Sequence, residues 1–236
     1  MEDARRIRVP ARLGAAGIWL FVVIVVALHL LPTGLDPIGR TVSEYVNQPY
    51  GWLVPIAAGG IGAGSLALTV ALTRALPAPR PRAGLALLAT WGLAMLLAGA
   101  FPTDPAPPGR PIHLTAAGAV HVVAGAVAFL AFAVGAPLVS RAVPDEPGRS
   151  ARAMRALAVL APLSLLLFVS TAVNRPPLSR VIGRPNAWGI GERLMVAVYV
   201  AWLLCAAAWA TRTAAAAAAA GGAGGSGAGG PVRRSW

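Results

Sequence analysis

Lysine is missing from these 236 residues, cysteine occurs once, and charged residues are scarce. Each shortage removes a class of function. The single cysteine, Cys205, sits in an apolar run and can form no internal disulfide. No Cys/His group has the spacing of a zinc site, so no metal or other cofactor is expected. Only 12% of the residues are charged, against about 25% in ordinary soluble domains. Twenty basic residues, all arginine, face eight acidic ones, for a formal net charge of +12. In a soluble chain that balance would point to nucleic acid. Here the arginines lie between apolar blocks rather than along one face, so nucleic acid is not an expected partner and membrane orientation is.

What is present is apolar: 57% of the chain is hydrophobic, with a mean hydropathy of +0.68. Six segments, about 13–32, 51–73, 84–101, 115–140, 154–173 and 190–210, reach or approach the roughly 20 residues needed to cross a bilayer. They are continuously apolar, whereas the strands of a membrane barrel alternate. Within hydrocarbon a helix satisfies its own backbone segment by segment. The expected fold is therefore all-α, a polytopic bundle of six transmembrane helices. The first segment follows Arg5, Arg6, Arg8 and Arg12 but is longer than the usual signal-peptide core and has no clear cleavage site, so it reads as a retained span. The organisation is a basic N-terminus over 1–12, a membrane domain over 13–212, and an Ala/Gly-rich tail over 213–236. The alanines of the tail suit a prolonged last helix; the stretch 221–236 reads as disordered.

Arginine placement sets the expected orientation. An N-in arrangement puts fourteen arginines on the cytoplasmic side, at the two termini and in the loops near residues 74–82 and 141–155. Six remain opposite: Arg40, Arg110, Arg175, Arg180, Arg184 and Arg193. The positive-inside rule then gives N-in, C-in, and a multi-pass protein of the cell membrane with lipids as its partners. Arginine in place of lysine, with abundant Ala, Gly and Pro, suits a GC-rich bacterial origin. A homo-oligomer is left open.

The varied chemistry lies on the outer side, in Asp36, Ser43, Glu44, Tyr45, Asn47, Asp104, His113, Asn174, Asn186, Glu192 and Arg193. Ionisable groups at a membrane face the bundle interior and find partners, so this cluster is the candidate site. Ser43 suits a helix cap or a nucleophile, and Glu44 an ion pair with Arg193 or a general base. Tyr50 and Trp52 suit an interfacial aromatic belt. Asp104 suits a cap or a cation ligand. His113 and His121 are both placed on the fourth span, where eight residues amount to about 80° of rotation and 12 Å of rise. One metal ion cannot easily hold both; His121 suits an interior hydrogen bond. His29 either lines the same cavity or reaches the interface. Glu192 and Arg193 point about 100° apart on a helix. They suit a clasp in which Arg193 meets Glu44 or Asp104 and Glu192 meets Arg175, Arg180 or Arg184, or else an anion clamp in which Arg193 holds a lipid phosphate. Gly60 and Gly64 suit a packing face.

These motifs in their order carry a family resemblance: Ser43-Glu44-Tyr45 before the second span, Phe101-Pro102-Thr103-Asp104 after the third, histidine on the fourth, and Gly189-Ile190-Gly191-Glu192-Arg193 opening the sixth. Over about residues 13–210 the chain resembles a bacterial and archaeal membrane-protein family, domain of unknown function 998. The resemblance implies a membrane location and six spans, carries over Ser43, Glu44, Tyr45, Phe101, Pro102, Asp104, His113, His121, Glu192 and Arg193, and implies no activity. A looser similarity is to zinc-dependent membrane hydrolases, but no H-x-x-x-H pair is present.

Three functions follow for the outer cluster. It binds a lipid head group or holds the bundle together; or it belongs to a lipid hydrolase of the outer leaflet, with Glu44, His113 or Asp104 as catalytic candidates; or the chain is a small transporter. The last fits least, because midplane polarity is limited to Ser65, Thr90 and Ser164 and no internal repeat is evident.

Overall fold

The computed structural model describes residues 2–105, 113–144, 148–172 and 187–225. The described residues form six long helices: α1 (Glu2–Leu30), α2 (Leu53–Ala75), α3 (Arg82–Ala100), α4 (Ala116–Arg141), α5 (Arg149–Ala172) and α6 (Trp188–Gly225). A short 3-10 helix, Ser43–Asn47, lies between α1 and α2. All six long helices have the length and apolar composition to cross a membrane, so the chain is an all-helical, multi-pass membrane protein.

Two helices overrun their expected spans. At 29 residues, α1 extends about 43 Å, well beyond a hydrocarbon core of about 30 Å. Its first turns carry Arg5, Arg6, Arg8 and Arg12, with Arg6 paired to Glu2 at 2.5 Å. Pro10 lies inside this helix and has no N–H to give to the carbonyl four residues back. That carbonyl belongs to Arg6, and the Arg74 side chain of α2 donates to it at 2.8 Å. At the other end of the chain, the alanines after Arg212 do prolong α6. The helix continues through Gly221–Gly225, which corrects the expectation that order ends before residue 221. A helix already nucleated by packed turns adds residues at little cost, and the alanine run has the highest helix propensity available.

The helices form a ring. Each packs on its neighbours in sequence, α6 closes against α1, and α2 also touches α6 across the middle. The tightest seam is α1 on α2. A Cβ on Gly17 would run into the Gly60 carbonyl and stand 2.9 Å from the Gly64 Cα, so the backbones meet with no room for a methyl group. Close approach through small residues replaces the hydrophobic drive that lipid removes, which is the packing role expected of Gly60 and Gly64.

The centre of the ring is aromatic. Phe132 and Tyr199 stack at 4.1 Å, with Trp91 and Trp202 edge-on to Phe132 at 5.0 and 5.6 Å. Their polar atoms are satisfied: Trp91 Nε1 donates to Ser65 Oγ at 2.9 Å, Trp202 Nε1 to Ser140 Oγ at 2.9 Å, and the Tyr199 hydroxyl to the Phe129 carbonyl at 3.1 Å. Buried aromatics of this kind need such partners.

Candidate functional site

At the end of the bundle away from the chain termini, the ring encloses a cavity of about 390 Å³ to which all six helices contribute. Its walls are apolar and its inner end is the aromatic cluster, through Trp91, Phe129 and Tyr199. Polar groups gather at its mouth: Ser43 and Glu44 from the 3-10 helix, Asp104 from the α3–α4 connection, His121 from α4 and Glu192 from α6.

The loop from α1 to the 3-10 helix is organised by its own carboxylates. Asp36 accepts from the backbone N–H groups of Ile38 and Gly39 at 3.1 and 3.3 Å, an Asx-type turn. Glu44 is bonded at both oxygens. Oε1 pairs with Arg40 at 2.7 Å, and Oε2 accepts from the Thr41 backbone at 2.7 Å and from its hydroxyl at 3.0 Å. Three donors leave it little freedom to act as a base. The Ser43 hydroxyl faces the Thr41 hydroxyl at 3.2 Å, and among the described residues it bonds no histidine or carboxylate. Neither is it the cap of the 3-10 helix, which begins after Val42 without a side-chain cap.

The second side of the mouth is a helix start. Thr115 caps α4, its hydroxyl accepting from Gly118 N at 3.1 Å. Asp104 in turn accepts from the Thr115 backbone and hydroxyl, both at 2.8 Å. Its negative charge therefore sits against the positive end of α4, a favourable placement. A Cβ on Gly118 would occupy the carboxylate's position, so this approach requires glycine. Asp104 takes the capping role, and the helix it caps is α4. Asn47 ties the two sides together, its side-chain amide donating to the Thr103 carbonyl at 3.2 Å.

His121 is held by the end of α3. Nδ1 lies 2.9 Å from the Ala98 carbonyl and 2.8 Å from the Phe101 carbonyl. Carbonyls only accept, so Nδ1 carries the proton and donates to both. No described residue bonds to Nε2, the ring nitrogen left to a ligand. His113 is placed differently from expectation: α4 starts at Ala116, so His113 precedes the helix, is exposed, and does not line the cavity. The helical relation expected between the two histidines therefore does not exist.

Glu192 and Arg193 diverge as two successive helical positions must. Glu192 is buried, at 7% exposure, and its Oε2 accepts from the Val42 N–H at 2.6 Å. Arg193 turns away from the cavity toward α1. Its Nε donates to His29 Nε2 at 2.7 Å, and NH1 donates to the carbonyls of Arg40 and Gly189 at 2.6 and 3.0 Å. The guanidinium also stands 5.9 Å from the centroid of the buried Tyr45 ring, and His29 meets the same ring edge-on. The clasp expected at this position is present with other partners. Arg193 meets neither Glu44 nor Asp104, because Arg40 and Thr115 already hold those carboxylates. Arg175, Arg180 and Arg184, expected opposite Glu192, lie outside the described residues, as do Arg110, Asn174 and Asn186.

The cavity thus brings together five of the expected site residues, Ser43, Glu44, Asp104, His121 and Glu192. Tyr45 and Arg193 form a brace behind it, with His29. Among the described residues no three His, Cys, Asp or Glu side chains converge as a metal site. Sequence reasoning passed over Thr41, Thr115 and the aromatic wall. Thr115 was detectable, since a threonine three residues before Gly118 has N-cap spacing. The aromatics of α3, α4 and α6 gave no signal, because nothing in a single apolar run says which face meets which.

No curated protein and no solved structure matches the chain. A family described as Protein of unknown function (DUF998) matches residues 15–210, a stretch that runs from within α1 to within α6 and encloses every residue of the cavity mouth and its brace. The chain belongs to this family.

Proposed function

We propose that this protein binds an amphiphile, a lipid or lipid-like molecule, in the cavity between its helices, on the outer side of the cell membrane. The observation that carries the reading is the cavity itself: about 390 Å³, apolar along its depth, with polar groups confined to one end. Ligand sites are typically concave, mostly apolar and supplied with a few convergent polar groups, at volumes from about 300 Å³ upward. Leu114, just before α4, and Val122 and Ala126 within it contribute to the lining and are also exposed on the bundle surface. That combination supports entry from the lipid phase past α4. The arginine asymmetry supports an outward-facing mouth. The three midplane hydroxyls support no transport path. Ser65 accepts from Trp91, while Thr90 and Ser164 bond carbonyls of their own helices.

The test is extraction of bound amphiphile from the purified protein, compared with Gly125→Phe. Gly125 lines the cavity, and a Cβ there would meet nothing within 4 Å, so a side chain can start there without a clash and phenylalanine takes up cavity space. The reading expects a stoichiometric amphiphile in the wild type and its loss in a folded Gly125→Phe. Equal amounts in both would overturn it.

A hydrolase of the outer leaflet is the second reading, favoured by one observation. His121 holds its proton on Nδ1 and offers Nε2 to the cavity, the arrangement of a general base. Turnover of a lipid ester or amide, lost in His121→Ala, would establish it; binding without turnover leaves the first reading.

A further inference from the structure

The polar groups at the cavity mouth are acceptors, and that selects a ligand. Three carboxylates line the cavity, those of Glu44, Asp104 and Glu192, and among the described residues no arginine does. Among the described residues, Arg40 pairs with Glu44, and Arg193 bonds His29 and backbone carbonyls behind the wall through Nε and NH1, its NH2 being buried without a partner. Glu44 and Asp104 are each bonded at both oxygens by local donors, whereas Glu192 has a described partner at one oxygen only. Its buried carboxylate accepts one hydrogen bond, at Oε2, and no described residue bonds to Oε1. An acceptor on a cavity wall gains when a bound ligand brings it a donor. His121 adds Nε2, an acceptor in the neutral ring and without a described partner, on another wall of the same cavity. Aromatic faces complete the lining, through Trp91, Phe129, Phe168, Trp188 and Tyr199. Rings attract cations through their negative faces, ammonium groups above all.

We infer that the amphiphile bound here carries a positively charged amine, whose ammonium group is received by Glu192 and His121 and whose chain lies along the aromatic wall. The inference rests on the amphiphile-binding reading of the same cavity. Among the described lining residues, an anionic head with no ammonium group would meet three carboxylates and no arginine. Arg193, expected as a phosphate clamp, is not among the residues lining the cavity. The ammonium could belong to a free alkylamine or to an aminophospholipid head group; the chemistry is shared.

The test is binding by the full chain, in a bulky maltoside detergent, of four probes: decyltrimethylammonium, decylamine, decyl sulfate and a lysophosphatidylethanolamine. Wild type is compared with Glu192→Gln, whose side-chain carbonyl can still accept from Val42 N–H, so folding is spared. The expected result is a preference of roughly tenfold or more for decylamine, which has N–H donors, over the sulfate, with decyltrimethylammonium, which has none, between them, and loss of the decylamine preference in Glu192→Gln. Lysophosphatidylethanolamine binding as well as decylamine would assign the source as a lipid head group; decylamine alone would assign a free amine. Equal binding of ammonium and sulfate, or a preference unchanged in Glu192→Gln, overturns the inference and leaves amphiphile binding standing. Failure of all four probes, with no extractable amphiphile, overturns both.

Discussion

Arg193 of α6 donates through Nε to Nε2 of His29 on α1, at 2.7 Å, and this bond fixes the state of the histidine. Arginine cannot accept and the Val25 carbonyl, 2.6 Å from Nδ1, cannot donate. His29 is therefore a neutral imidazole with its proton on Nδ1. The last helix is joined to the first through that ring. Arg193→Lys retains the charge but loses the planar fork that reaches His29 and the two carbonyls together. It should destabilise the protein by about 1–3 kcal/mol, read as a lowered midpoint of thermal unfolding in detergent. His29→Ala should cost a similar amount, and the double variant less than the sum. Strict additivity would mean the two residues are not coupled.

Asp104 should act on α4 and not on chemistry. Asp104→Asn removes the charge from the positive end of the helix while keeping an acceptor for Thr115. The loss should be about 0.5–1 kcal/mol of stability, with ligand binding little changed. Gly118→Ala displaces the carboxylate and should cost more than Asp104→Asn. A smaller cost for Gly118→Ala would mean the carboxylate does not occupy that place.

The α1–α2 seam has no slack. Gly17→Ala puts a methyl group against the Gly60 backbone, which cannot step aside as a side chain would. Overpacking of this kind costs about 1–3 kcal/mol. Gly59, whose added Cβ would meet nothing within 4 Å, is the control: Gly59→Ala should be neutral or slightly stabilising, as measured by thermal unfolding.

Ser65 serves Trp91. Ser65→Ala strands the indole N–H in the apolar centre, and the expected cost is about 0.6–1.7 kcal/mol, the range found for hydrogen bonds between membrane helices. Trp91→Phe in the same background should remove most of that penalty, since no N–H is left unpaired. Additive losses would contradict the assignment.

Orientation is open to a direct check. In a Cys205→Ala background, a cysteine at Gln48 should react with an impermeant thiol reagent added outside intact cells, and one at Ala78 should not. The reverse pattern would invert the topology and put the cavity mouth on the inner face.

The six helices were legible because span length and continuous hydropathy are properties of single segments. Their ends were less so: Arg5, Arg6, Arg8 and Arg12 read as a basic tail, although their backbone continues α1 and Arg74 repairs the bond that Pro10 omits. The gathering of Ser43, Glu44, Asp104, His121 and Glu192 at one end also followed from topology, since alternate connections must meet. Partner choice did not follow. Glu44 is satisfied within its own loop by Arg40 and Thr41, while Arg193 reaches back 164 residues to His29. A pairing across the ring depends on helix rotation, and a rotation of about 100° per residue sends Glu192 inward and Arg193 behind the wall.

The central claim, an amphiphile held inside the ring, is tested most directly by photolabelling. A decyl-chain amine carrying a diazirine at mid-chain would be bound to the purified protein, activated by light, and the labelled residues mapped by mass spectrometry. The expected result is label concentrated on Met95, Phe129 and Tyr199, residues of the cavity lining, and strongly reduced in Gly125→Phe. Label confined to exposed outward positions such as Val23, Leu130 and Leu166, unchanged in that variant, would show that the chain meets the protein only from the outside and would contradict the claim.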